Sequence, residues 1–209
     1  MNIIVSNRPF KNRVASTQDE LSEYLKTHKV TRIYFPFWSW KVPNELLLKC
    51  ECIGFHSAPL PYGRGGSPIQ NMIRLGYKTT QVCMFYMTKN FDGGRVIARR
   101  EVGLDGTLNE IVERISKTIE DMIEHFESGK VCIDLQDPKY SNVPLKFYRL
   151  VNNKMEEKDT LKGIYDEIRM RDECGHPKTL LWHGRHRIDF TDTKIEGNKV
   201  TAKVEIYET

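Results

Sequence analysis

In its first half the chain alternates short apolar runs with amphipathic stretches. Asn2–Val5, Thr31–Pro36 and Cys50–Phe55 are apolar runs of strand length, too short for helices buried on all sides. Between the first two, Thr17-x-x-Glu20 has the form of a capping box opening a helix whose apolar face is Leu21, Tyr24 and Leu25. After a loop, Phe37–Val42, the stretch Pro43-Asn44-Glu45-Leu46 reads as a second helix start. Two strand-helix units in succession predict a parallel sheet with right-handed crossovers. Thr80–Met87, rich in β-formers, predicts a further strand, with Arg95–Val102 as its antiparallel partner across Gly93-Gly94. Thr107-x-x-Glu110 then caps the strongest helix. Leu108, Ile111, Val112, Ile115, Ile119, Met122, Ile123 and Phe126 form one stripe at helical spacing, and Gly129 ends it. That stripe is core.

Beyond this helix the pattern loosens. Val131–Leu135 is an apolar run of unassigned type, and Asp137–Pro144 is polar and turn-forming, which puts a boundary there: residues 1–137 as one unit, 138–209 as another. In the second unit Leu161, Ile164, Tyr165 and Ile168 mark a helix. Leu180–Trp182, Arg187–Phe190 and Lys199–Tyr207 read as strands, with Val200, Ala202, Val204 and Ile206 alternating after a Gly197-Asn198 turn. The expected class is α/β with a small β-rich appendage.

Composition narrows the function classes. At 209 residues, 39% hydrophobic and 29% charged, the chain is long enough for a real core. No apolar run approaches the roughly 18 residues that cross a bilayer, and no signal-peptide pattern precedes the first strand, so the expectation is a cytoplasmic protein without a membrane partner. Five cysteines (Cys50, Cys52, Cys83, Cys132 and Cys174) are an odd number, and three lie in apolar runs. Reduced core thiols fit better than a disulfide framework. The net charge of +4 is a mild field that suits an anionic small substrate. No charge run or aromatic-basic alternation points to nucleic acid.

Cys52–Gly76, reading CIGFHSAPLPYGRGGSPIQNMIRLG, organises the rest. An apolar run ends at His56, a Pro/Gly-rich loop follows, and a helix start resumes at Ser67, with Pro68 at the first helical position, Gln70 completing a capping box and Gly76 as the stop. A histidine at the carboxyl end of a buried strand stands where open α/β sheets bind ligands. His-Ser-x-x-Leu-Pro-Tyr, then Arg-Gly-Gly-Ser-Pro and a short helix, resembles the signature of the folate-dependent formyltransferases, whose members act on glycinamide ribonucleotide, methionyl-tRNA or amino sugars. The resemblance runs from about Val30 to about Leu181, with a weaker match at Ile164–Arg169. It implies a Rossmann-like, mostly parallel sheet flanked by helices, shortened at its amino-terminal end by about one strand-helix unit. The dinucleotide-type glycine fingerprint is absent after the first strand.

The resemblance also implies roles. Catalysis falls to His56 and to Asp92, 36 positions on in Asn90–Val96, while the amide that the family carries two residues before the histidine is here Gly54. Formyl transfer needs an unprotonated amine, a stabilised oxyanion and a proton path. An imidazole titrating near neutrality can donate to developing charge, and a carboxylate facing it can fix its tautomer and stabilise its cation. Losing one preorganised oxyanion donor typically costs about 10²–10³ in rate. A backbone N–H, a water in the space at Gly54, or Asn71 are the candidate replacements. The implied cofactor is N10-formyltetrahydrofolate, with Trp38, Ser39, Trp40, Lys41 and Val42 where the family binds the pterin, largely through backbone groups, and Thr88, Asn90 and Phe91 closing over it. Ser57, Tyr62, Arg64, Gly65, Gly66 and Asn71 of the motif, with Asn7 and Arg8 after the first strand, are expected to face the acceptor. That acceptor is expected to be a nucleotide-linked amino sugar, such as one of the pseudaminic-acid pathway, because the chain is small and its PYGRGGSPIQN loop resembles the sugar branch. A homodimer through the β appendage is a further expectation from that branch.

Each feature has a plainer reading. Phe35, Phe37, Trp38 and Trp40 are otherwise packed aromatics over a sheet edge. Arg64-Gly65-Gly66 makes an anion nest or only a structural turn, and Asn7-Arg8 a phosphate contact or plain loop. Cys50-x-Cys52-x3-His56 lacks a fourth ligand, so no metal is expected. His176, His183 and His186 read as solvated or interface histidines. Formyl-folate hydrolysis, methionyl-tRNA formylation and a folate- or sugar-nucleotide-binding relative with little turnover are the alternatives to sugar N-formylation.

Overall fold

Alternate residues of three parallel strands face opposite ways, and each face finds its own helical cover. The computed structural model describes residues 1–129, 146–173 and 176–208. Strands β1 (Asn2–Val5), β3 (Arg32–Phe35) and β4 (Glu51–His56) run parallel, joined through α1 (Gln18–Thr27) and α2 (Asn44–Lys49). Ile3, Val5, Ile33, Phe35 and Cys52 turn toward Leu21 of α1 and toward Leu46 and Leu47 of α2. Ile4, Tyr34 and Ile53 turn toward α3 (Pro68–Arg74) and α4 (Leu108–Glu127), whose Met72, Ile73, Ile111, Ile115 and Ile119 fill the other layer. Such two-sided burial is why these strands read as continuous apolar runs.

The sheet continues with β6 (Thr79–Tyr86) antiparallel to β4, and β7 (Val96–Gly103) antiparallel to β6. The full order is β2-β1-β3-β4-β6-β7. Edge strand β2 (Arg13–Ala15), parallel to β1, was not expected. Three residues with one buried side chain give no periodic signal.

The sequence-predicted caps divide. Thr107 and Glu110 form the full reciprocal box. Thr17 accepts from Glu20 N, but the Glu20 carboxylate bonds chiefly to Ser16. The box at Ser67 does not form. Ser67 adopts a left-handed backbone (φ 50°) without capping the helix, and its hydroxyl instead accepts from Leu150 N at 3.2 Å, while Gln70 is buried.

The chain after α4 returns to the motif loop. β5 (Arg64–Gly65) pairs in parallel with β8 (Lys146–Phe147). Then come α5 (Leu161–Arg169) and an antiparallel sheet of β9 (Thr179–His183), β10 (His186–Glu196) and β11 (Lys199–Glu208) in the order β11-β10-β9. On α5 the expected apolar face is only part of the story. Ile168 is buried, but so are Asp166, Glu167 and Arg169. Arg169 donates to Asp166 Oδ1 at 2.6 Å and to the carbonyls of Leu104 and Gly106 at 2.6 and 2.7 Å, and Arg171 pairs with Glu167. Pairing is what permits the burial. Val204, Ile206, Tyr207 and Trp182 of the small sheet are exposed. The boundary at Asp137–Pro144, the run Val131–Leu135, Cys132 and Cys174 lie outside the described residues. No helix among the described residues is long and apolar enough to cross a membrane.

Candidate active site

His56 ends β4 and is 6% exposed. On the strands beside it the helical cover of this face gives way to loops, and a cleft of about 510 Å³ opens, lined by Phe35, Val42, Gly54, His56, Phe85 and Met87 among others. His56 Nε2 lies 2.7 Å from the carbonyl oxygen of Gly63. A carbonyl only accepts, so Nε2 carries the hydrogen and Nδ1 is the basic atom of the neutral ring. Nδ1 faces Asp92 Oδ2 at 3.6 Å. Asp92 is brought there by the turn between β6 and β7, where it adopts a left-handed backbone (φ 49°), a conformation that Asp tolerates better than most residues. The same Oδ2 accepts from Gly65 N at 3.0 Å. Both ring nitrogens therefore have protein partners, and Oδ1 of Asp92 is the open atom of the pair: among the described residues it has no hydrogen-bond partner.

One wall of the cleft is aromatic. Trp38 and Trp40 meet edge to face, centroids 4.8 Å apart, and Trp38 packs on Phe35 at 5.5 Å. Trp38 Nε1 is buried and has no acceptor among the described residues. The loop carrying them is clipped from two sides: Asn7 Oδ1 accepts from Ser39 N at 2.6 Å, and Gln18 Nε2 donates to Lys41 O at 2.9 Å. Those two backbone groups, expected to meet a pterin, thus already have protein partners. Lys89, Asn90 and Phe91 close the opposite side with Thr88, whose hydroxyl bonds within its own turn.

The structure sorts the expected acceptor residues. Arg8, Ser57, Gly65 and Gly66 line the cleft, as do Trp38, Ser39, Trp40, Lys41, Val42, Thr88, Asn90 and Phe91. Asn7, Tyr62, Arg64 and Asn71 are not among its lining residues. Asn7 is the loop clip, and its amide also donates to Ser16 O at 3.1 Å. Tyr62 meets the Tyr77 hydroxyl at 3.2 Å. Arg64 has its Nε buried. Asn71 spends its amide on the carbonyls of Gly66, Ser67 and Tyr148, so it is not a free donor for an oxyanion. Nor is there space at Gly54 for a water, because the Phe85 ring and the Met87 side chain fill it.

Sequence reasoning missed the carboxyl-terminal contribution. Arg149, Leu150, Val151, His176 and Pro177 also line the cleft. His176 is half-buried, with Nδ1 buried and without a partner among the described residues, and burial pushes its pKa below the ordinary value, with Glu173 opposing. His183 is exposed on β9 and His186 partly so at the hairpin. Among the described residues no cluster could hold a metal. Burial raises the Cys50 thiol and pushes that of Cys52 up to about 12, as befits core thiols.

A profile for formyl transferases matches residues 2–126. The chain belongs to the formyl transferase family. Within it, a profile for the methionyl-tRNA formyltransferase C-terminal domain matches residues 151–207. The methionyl-tRNA formyltransferase of Listeria welshimeri is 28% identical over 208 residues, covering 93% of this chain and 64% of that relative. The chain thus spans less than two thirds of that relative's length. The structure of a methionyl-tRNA formyltransferase from Clostridium thermocellum matches with a TM-score of 0.88 at 31% identity, each chain covered in full. The formyltransferase PseJ from Anoxybacillus kamchatkensis, solved with UDP-4,6-dideoxy-4-formamido-L-AltNAc and tetrahydrofolate, shares the fold at a TM-score of 0.53 and 18% identity, covering 71% of this chain and 86% of that one. Formyl transferase folds of this kind have a parallel-rich sheet flanked by helices, as here, with a carboxyl-terminal antiparallel sheet.

Proposed function

We propose that this chain transfers the formyl group of N10-formyltetrahydrofolate to the primary amine of a nucleotide-linked amino sugar. The observation that carries the reading is the meeting of His56 and Asp92, 3.6 Å apart, beside an aromatic-walled cleft. The residues fit a flat heterocycle: Trp38, Trp40, Phe37 and Phe91 offer apolar faces, and Trp38 Nε1 is a donor in want of an acceptor. When bound, the folate supplies the activated formyl carbon. Asp92 Oδ1 would take the proton that the attacking amine sheds and return it to the departing folate nitrogen as that nitrogen's bond to the formyl carbon breaks. Gly63 O holds the His56 ring in the tautomer that leaves Nδ1 as its basic atom, facing the other carboxylate oxygen, Oδ2. His56 is buried and the Asp92 side chain is 11% exposed, which limits the competition of water for that proton.

Charge supports the acceptor class. Arg8, Lys41, Lys89 and Arg149 line the cleft against a single carboxylate, Asp92, which suits an acceptor bearing phosphate. The three-stranded sheet, residues 179–208, carries five Lys/Arg and five Asp/Glu, so it offers no net positive field to a transfer RNA backbone. The PseJ neighbour, bound to a UDP-linked formamido sugar, is an instance of that substrate class on this fold. Methionyl-tRNA as acceptor is the second reading, favoured by the curated relatives and by the carboxyl-terminal profile.

The deciding experiment incubates the chain with N10-formyltetrahydrofolate and, separately, UDP- or dTDP-linked amino sugars and methionyl-tRNA, and looks for the formamide. A formamido sugar is expected. Product from methionyl-tRNA alone favours the second reading, and formate released without any amine favours hydrolysis.

A further inference from the structure

Arg149 lies outside the stretch that carries the motif, on the segment that returns after α4. That segment is pinned to the motif loop on both sides of Arg149. Before it, β8 pairs with β5, Gly66 N donates to Phe147 O at 3.3 Å, and Asn71 Nδ2 donates to Tyr148 O at 3.1 Å. After it, Leu150 N donates to Ser67 Oγ at 3.2 Å. The two backbones are flush: a Cβ on Gly66 would lie 2.9 Å from the Cα of Arg149. Gly65, one residue earlier, holds Asp92 through its N–H. The residue that anchors the candidate proton acceptor therefore pairs directly with the strap that carries Arg149.

The Arg149 side chain is exposed, lines the cleft, and has no ion pair or hydrogen bond among the described residues. The other cations of the cleft differ. Arg8 is committed to Glu173 and lies 5.7 Å from the centre of the Phe37 ring. Lys41 and Lys89 also lack ion pairs among the described residues, but they stand on the two loops that flank the aromatic wall. Among the described residues, only Arg149 presents a free guanidinium on the wall formed by Gly65, Gly66 and the start of α3. A guanidinium offers a planar fork of donors that matches phosphate oxygens, and a pinned backbone reduces the ordering cost of using it.

We propose that Arg149 grips the phosphate-bearing end of the acceptor. The proposal rests on the formyl-transfer reading for the identity of the acceptor, but its test does not need turnover. UDP alone and tetrahydrofolate alone are titrated calorimetrically into the full chain, into Arg149→Met, and into a charge-matched control remote from the cleft, Lys203→Met. Arg149→Met is expected to weaken UDP on the order of 10-fold to 100-fold, the range for a lost charge-assisted contact, and to leave tetrahydrofolate unchanged. Arg149→Lys recovers part of the loss, and Lys203→Met behaves as the unaltered chain. In turnover the acceptor KM rises while kcat holds. The proposal is overturned if UDP fails to bind the unaltered chain, if Arg149→Met binds it equally well, or if that variant loses tetrahydrofolate instead. Arg149-dependent UDP binding in a chain that transfers no formyl group counts against the formyl-transfer reading and for the role of Arg149.

Discussion

The ring of Phe85 stands where a side chain at Gly54 would go: its Cζ lies 2.7 Å from the position of a Cβ there, and Met87 Cγ lies 3.1 Å away. The two residues face each other across β4 and β6, two positions along the strand from His56. The missing amide of this chain is thus matched by an aromatic ring that fills its place and makes the cleft floor apolar.

Gly54→Asn should therefore destabilise the protein by overpacking, by about 1–3 kcal/mol, and should not raise activity. Adding Phe85→Ala makes room, so the double variant is expected to lose less than the two single losses combined. Urea denaturation of the four proteins measures the coupling, and strict additivity would contradict the contact.

His56→Asn and Asp92→Asn each remove the proton path while leaving the aromatic wall intact. Turnover is expected to fall on the order of 10²–10⁴-fold, with tetrahydrofolate affinity changed only a few-fold. Steady-state kinetics beside direct binding separates the two quantities, and parallel losses in both would argue against these roles.

His176 gives a pH signature. Burial lowers its folded-state pKa below the model-peptide value of about 6.5, so near neutrality the folded ring is neutral. Between the folded and unfolded values the unfolded chain binds more protons. The contribution of His176 is therefore full above about pH 6.5 and is lost as pH falls through the folded value. His176→Gln should flatten unfolding free energy against pH just below 6.5, and an unchanged slope in denaturant titrations at several pH values would speak against it.

Arg169 joins α5 to the sheet layer through Asp166 and the carbonyls of Leu104 and Gly106. Arg169→Met leaves the Asp166 carboxylate buried with only the exposed Lys162 as partner, and is expected to cost about 3–5 kcal/mol. A shift in the urea midpoint of that size, with the slope unchanged, is the expected observation.

The strands, the α4 stripe and the His56 loop were legible because each buries a periodic apolar face or ends one. Asp92 came from the resemblance to the family's Asp-Gly-Gly turn, and the structure places it facing His56. What escaped has a common cause. β2 is too short to show a period, the Ser67 cap is displaced by a contact with Leu150 from far along the chain, and Asn71 looks like a free donor until the carbonyls it serves are seen. Arg149 and His176 reach the cleft only through tertiary contacts, which no local pattern announces. The buried charges of α5 likewise look like a solvated face until their partners arrive.

The pairing of β5 with β8 is only two residues long, Arg64 with Lys146 and Gly65 with Phe147, yet it joins segments some eighty positions apart. Its second residue, Gly65, is also the one whose N–H holds the Asp92 carboxylate, so opening that short zipper would loosen the strap and the carboxylate together. On the proposed reading, the grip on the acceptor and the placing of the proton acceptor therefore stand or fall by the same two residue pairs.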